Sequence, residues 1–149
     1  MQNHEFILTL DPEYVSHKPK MTPPLACSGR QTHLDARHYT VTDHMDALPK
    51  KIWDSTVTFD AILTDVKNGT HWDIDGPGGY QQTSLWTVEV EEADGSLVLV
   101  EEATITANRI IIGIIKNKIL GNSPVIHQKY VDELLRGIKA ADVDIWAAK

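Results

Sequence analysis

"NGTHWDIDGPGGYQQTSLWTVEVEE", residues 68–92, carries at its centre the Gly-rich knot Gly76-Pro77-Gly78-Gly79. The knot is either a cradle for phosphate or a bend between two strands. A phosphate loop needs a strand, a Gly-rich turn, and then a helix whose N-terminus faces the anion. The residues after Gly79 are instead "YQQTSLWTVEV", in which Ser84, Trp86, Val88 and Val90 alternate with their neighbours at the period of a strand. Neither GxxxxGK[ST] nor GxGxxG occurs. The knot therefore reads as a turn inside a sheet, and nucleotide chemistry loses its only foothold.

Working outward, the same period recurs. "STVTFDAILTDV" sets Val57, Phe59, Ala61 and Leu63 on one face against Thr58, Asp60 and Thr64 on the other. Asn68-Gly69 comes next as a hairpin signal, read as two turn positions at positive φ. "THWDID" returns with Trp72 and Ile74 together. Asp94-Gly95 marks a second hairpin, after which Leu97, Leu99, Glu101, Ala103 and Ile105 share a face. Upstream, "HLDARHYTVTDHM" places Arg37, Tyr39 and Val41 on one side and His38, Thr40 and Thr42 on the other. Strands are thus predicted over 33–108.

The flanks differ. From Arg109 to about Ala141 the apolar residues recur at helical spacing: Ile111, Ile114, Ile115 and Ile119, then Ile126 or His127, Tyr130, Val131, Leu134 and Ile138. Gly121-Asn122-Ser123-Pro124 interrupts them, giving one kinked helix or two in line with Ser123 as the second cap. At the other end, "NHEFILTL" suggests a short helix ended by Asp11-Pro12. Residues 1–32 otherwise read as a Pro-rich extended loop, with Pro12, Pro19, Pro23 and Pro24 in a short span. The whole is a single domain of α+β class: a curved antiparallel sheet wrapped around a long C-terminal helix.

Composition narrows the partners. The chain has 149 residues, 14 Lys+Arg against 21 Asp+Glu, and a net charge of −7. An acidic surface without basic runs argues against nucleic acid and anionic membranes. The longest apolar run, Ile110–Ile115, is far below the ~20 residues of a membrane helix, and "MQNHEFILTLDPEY" lacks the pattern of a secretion signal. A soluble cytoplasmic protein is expected. The single Cys27 forms no internal disulfide. His33, His38 and His44 are too spread along one strand to share an ion, and His71 with Asp73 makes at most two ligands. No metal and no cofactor is expected.

The stretch "YTVTDHMDALPKKIWDSTVTFDAILTDVKNGTHWDIDGPGGYQQTSLWTV", then "LVEEATITAN" and the helix with His127, resembles an uncharacterised fungal domain family of the START-like, helix-grip superfamily. Polyketide cyclases, aromatase/cyclases and plant hydrophobic-ligand binders belong to that superfamily. The resemblance runs from about Asn3 to Ile138 and rests on Tyr39-x-Val41-Thr42-Asp43 before Leu48-Pro49, the Asp65…Asn68-Gly69 turn, Trp86 and Glu101. It implies a long apolar cavity between the sheet and the C-terminal helix. It also implies that the family's first strand and much of its first helix are missing here.

By parity the lining would include Phe59, Trp72, Trp86, Leu99 and Ile105, with Tyr130 from the helix. The polar exceptions on this face are Arg37, Tyr39, Glu101 and His127. Glu101, an acid on an apolar face, suits a general acid or base. The alternatives are a pair with Arg37 across the cavity, or a register that turns Glu102 inward. His127 could exchange protons or only pack. Arg37 and Tyr39 could hold an oxygen that gains charge.

Two functions are in view. One is a cofactor-free cyclase, isomerase or dehydratase acting on a polyketide- or terpenoid-like intermediate of specialised metabolism. The other is a carrier or sensor of an apolar small molecule. Because a sheet without its first strand exposes an edge, a homodimer is expected; a Pro19–Pro24 segment folded back over the gap would instead leave a monomer.

Overall fold

The computed structural model describes residues 3–21, 36–44, 56–91, 93 and 96–147. In chain order the elements are α1 (His4–Leu8), β1 (Tyr14–Pro19), β2 (Arg37–His44), β3 (Thr56–Val66), β4 (Gly69–Gly76), β5 (Tyr80–Val90), β6 (Leu97–Thr106) and α2 (Arg109–Ala147). The six strands form one antiparallel sheet in the order β1-β2-β3-β4-β5-β6, curved and unclosed. This is the α+β architecture expected from the alternation. Cys27, His33, Leu48-Pro49 and the Asp94-Gly95 turn lie outside the described residues.

The knot is a bend between strands. Pro77–Gly79 make a tight, kinked turn from β4 into β5, with Gly78 at φ 71° and Gly79 at φ 74°. Those left-handed values come cheaply only to glycine. Gly69 is a glycine for another reason. It is already the first residue of β4, paired with Thr87, and a methyl group there would land on the main-chain oxygen of Trp86. Val88 N donates to Asn68 O at 2.9 Å in the same place. The hairpin expected at Asn68-Gly69 exists, but its two-residue loop is Lys67-Asn68, and the glycine serves close approach rather than positive φ.

The N-terminal region departs from expectation. The short helix is present, capped by Asn3, whose side chain accepts from Phe6 N at 3.1 Å. Within the segment read as loop, Tyr14–Pro19 is instead a strand, paired along β2 from Tyr14↔Asp43 to Pro19↔Tyr39 with an irregularity after Tyr14. An edge strand tolerates a proline at its end, because only one side of it must donate to the ladder. The strand expected to be absent is one that would precede the helix; β1 follows α1 and instead opens the run of antiparallel strands. β1 covers the outer edge of β2, and β1 and β6 are then the two edge strands of the unclosed sheet.

Helix α2 is one helix, not two. Ile115, Ile119, Asn122, Ile126, Tyr130 and Leu134 form a single inward stripe across the expected break. Pro124 sits inside the helix with its side chain exposed, and Leu120, the residue whose carbonyl loses its donor, is 66% exposed. Water can hydrate that carbonyl, so the proline is tolerated. Ser123, expected to cap, lies mid-helix and lines the cavity instead. The core joins Ile7, Leu8 and Leu10 to Tyr39, Val41, Ala61, Leu63, Trp86 and Tyr130. No helix among the described residues is long and apolar enough to cross a membrane.

Candidate functional site

Between the sheet, α1 and α2 lies a cavity of about 740 Å³, within the range of about 300–1,000 Å³ usual for small-molecule sites. Its walls are mainly apolar: Phe59, Ala61, Trp72, Ile74 and Trp86 from the sheet, Ile115, Ile119 and Ile126 from the helix. Strand parity places them. Phe59, Trp72 and Trp86, expected to line it, do so. Leu99 packs against the core without lining the cavity, Ile105 is half-buried beside Gln82, and Tyr130 is buried edge-on against Trp86 at 5.4 Å.

At one end, Trp86 organises an aromatic group. Its ring lies 5.0 Å from Trp72, tilted, and 5.4 Å from the His127 ring, edge to face. Glu101 pairs directly across the strands with Trp86 and lines the cavity; Glu102, opposite Leu85, takes the other face. Glu101 Oε2 lies 2.8 Å from His127 Nε2. The two residues expected to move protons are thus brought into contact by β6 and α2. Arg37 is not their partner: it is exposed at the start of β2, on the far side of β3, β4 and β5. Tyr39 stays beside Arg37 in the core under the His17 ring, its hydroxyl held protonated chiefly by burial. Neither lines the cavity, because β2 feeds it through Val41 and Asp43 instead.

A ligand entering beside Trp86 is expected to change the protein's tryptophan emission, and the change should shrink in Trp86→Phe. An equal change in that variant would place Trp86 in packed core only. The indole Nε1–H groups of Trp72 and Trp86 are buried without an acceptor among the described residues, so both are donors still to be satisfied.

The opposite end holds polar groups that strand reading did not select. Tyr80 and Trp86 are six residues apart on β5, about 20 Å at the rise of a strand. Here Asp43, Asp11 and Tyr80 line the cavity together. Asp43 is 7% exposed, and its Oδ1 has no hydrogen-bond partner among the described residues. Burial, then the nearby Asp11 carboxylate, push the Asp43 carboxyl up to about 7. Asp11 rises for the same first reason, moderated by Lys118 and Lys129. Burial, with Asp11 and Asp43 beside it, keeps the Tyr80 hydroxyl firmly protonated. That hydroxyl donates to Gln82 Oε1, and Gln82 Nε2 donates to Ser84 Oγ at 2.8 Å. Lys118, on α2, binds Glu13 and donates to His44 O at 3.0 Å. Asp43 shares its parity with Tyr39 and Val41, and that was the available signal.

Metal-ligating groups are sparse. His71 Nδ1 and Asp73 Oδ2 stand 3.6 Å apart, and no cluster of three such residues occurs among the described residues.

Residues 1–136 match the family described as Domain of unknown function (DUF7053). The chain belongs to that family. The DUF7053 match spans both helices of the cavity wall up to Arg136, all six strands, and both polar ends. No curated protein and no solved structure matches the chain. The DUF7053 fold is compatible with a helix grip: six antiparallel strands and a C-terminal helix.

Proposed function

We propose that this domain is a START-like, cofactor-free enzyme that isomerises, cyclises or dehydrates an apolar intermediate in its cavity. One observation carries the reading: a carboxylate and an imidazole 2.8 Å apart at the wall of an apolar cavity. A carrier needs only apolar walls. A convergent proton-transfer pair beside those walls favours chemistry.

In this reading the walls fold a flexible substrate against Trp72 and Trp86. Glu101 takes a proton from a carbon next to a carbonyl, its carboxylate held in place by the contact with His127 Nε2. Return of that proton to another carbon isomerises the substrate. Delivery to a departing hydroxyl releases water. The resemblance to polyketide cyclases favours a polyketide- or terpenoid-like substrate and a fungal biosynthetic setting. The unclosed sheet leaves β1 and β6 as edges, and an edge that pairs with a second copy makes a homodimer; light scattering near twice 16.7 kDa would support it, and a mass near 16.7 kDa would reject it.

The test is product analysis. Apolar metabolites extracted from source cells lacking the gene are incubated with the protein in heavy water and compared by mass spectrometry. A compound converted with deuterium uptake by the wild type, and slowed at least ~100-fold by Glu101→Gln, supports the assignment; Glu102→Gln is the unaffected control. Unaltered turnover in Glu101→Gln would sink the role of Glu101. A compound bound but never changed would favour the carrier.

A further inference from the structure

The Asp43 end of the cavity is built around a carboxyl oxygen that lacks a donor among the described residues. Buried acceptors are seldom left so. The neighbouring donors are engaged elsewhere. The Tyr80 hydroxyl is committed to Gln82, the Lys118 ammonium is held by Glu13 and the His44 carbonyl, and the Asn122 amide reaches Asp11 Oδ1 at 3.5 Å. Asp11 Oδ1 also accepts from Glu13 N at 2.8 Å. Around Asp43 the remaining walls are mainly apolar, with Val41, Val57, Phe59, Ile115 and Ile119 beside Thr56. The charged and titratable groups near it are Asp11 before β1, Tyr14 opposite it on β1, Tyr80 on β5, and Glu13 with Lys118 beyond Asp11.

We infer that Asp43 anchors the head group of the apolar ligand, and that this head group donates a hydrogen bond: a hydroxyl or a protonated amine. The inference rests on the cavity being a ligand site, and is independent of whether Glu101 is catalytic. Where Asp43 is ionised, above about pH 7, a ligand carboxylate is excluded, since it would bring a third negative group against Asp11 and Asp43. Tyr80, at the Asp43 end, stands six residues along β5 from Trp86, about 20 Å at the rise of a strand, and Glu101 pairs with Trp86, so a ligand reaching both ends is long, with its polar anchor remote from the atoms that react. Binding at such a remote anchor positions the far end for chemistry.

The probes are octanol, octylamine and octanoate, which share a chain length and differ in head group. Their affinities are measured by calorimetry on the intact protein at about pH 8. Octanol or octylamine is expected to bind at least about tenfold more tightly than octanoate, the worth of one charge-assisted hydrogen bond. Asp43→Leu should bind all three alike, with circular dichroism confirming its fold. Asp43→Asn separates the two donors: it should abolish an amine preference, which needs the charge, and preserve an alcohol preference, which needs only the amide oxygen. Octanoate binding as tightly as the others, or a preference that survives Asp43→Leu, overturns the inference while leaving the cavity as a ligand site. Failure of all three to bind overturns both.

Discussion

Gly69→Ala is expected to destabilise the fold by at least ~3 kcal/mol, the upper range for inserting a methyl group into a packed interior. The added carbon meets main chain, not a side chain that could turn away: the carbonyl oxygen of Trp86 and, 3.0 Å off, the Thr87 Cα. Relief requires β4 and β5 to part where Thr70 pairs with Trp86. Trp86 would move with its strand, and Trp72, His127 and Tyr130 all rest on its ring. The substitution should therefore weaken both the fold and the Glu101 end of the cavity. Urea midpoints measure the first, and Trp86 emission the second. Gly79→Ala is the contrast: it has open space but φ +74°, so it should cost only about 1 kcal/mol. A Gly69→Ala midpoint within about 0.5 kcal/mol of wild type would mean that the strands do not approach as described.

Asp43→Asn should change how stability depends on pH. In the unfolded chain Asp43 loses its proton near 3.8, whereas in the fold it keeps it to about 7. Across that interval the native state binds the extra proton, so stability falls as pH rises from about 4 to about 7 and then levels. At about 1.4 kcal/mol per pH unit the full excursion is bounded at about 4 kcal/mol. Asp11, also raised by burial, adds to the same trend. Asparagine cannot titrate, so the variant should lose most of the decline and exceed the wild type in melting temperature at about pH 8, with little advantage at about pH 4. Melting curves across that range check it. A wild-type stability that instead climbs from pH 4 to 7 would show Asp43 ionised in the fold.

Much of the sheet could be read in the chain because period-two alternation survives in β2, β3 and β5. It also set Phe59, Trp72, Trp86 and Glu101 on the inner face. Two kinds of feature were hidden. β1 was masked by prolines, which argue against a ladder generally but not at the end of an edge strand. The Asp43 end was hidden because it is assembled across distance: Asp11 from before β1, Asp43 from β2, Tyr80 from β5 and Asn122 from α2 meet without any local spacing to reveal them. Asp43 itself lay in the right parity, but an aspartate on an inner face is ordinarily too costly to expect. Arg37 had the right parity too, yet it begins its strand, and the cavity does not extend to that end of β2.

The strand order has a kinetic meaning. Every strand pairs with its neighbours in the chain, so most of the sheet can zip through short loop closures, which are fast. The contacts of α2 with the N-terminal segment, Asn122 to Asp11 and Lys129 to Leu10 O, join opposite ends of the sequence. Closing so long a loop costs more than closing any hairpin of the sheet, although the cost grows only slowly with length. The sheet can therefore form before its cover is in place, and an apolar molecule present in that interval meets an open trough rather than a closed chamber.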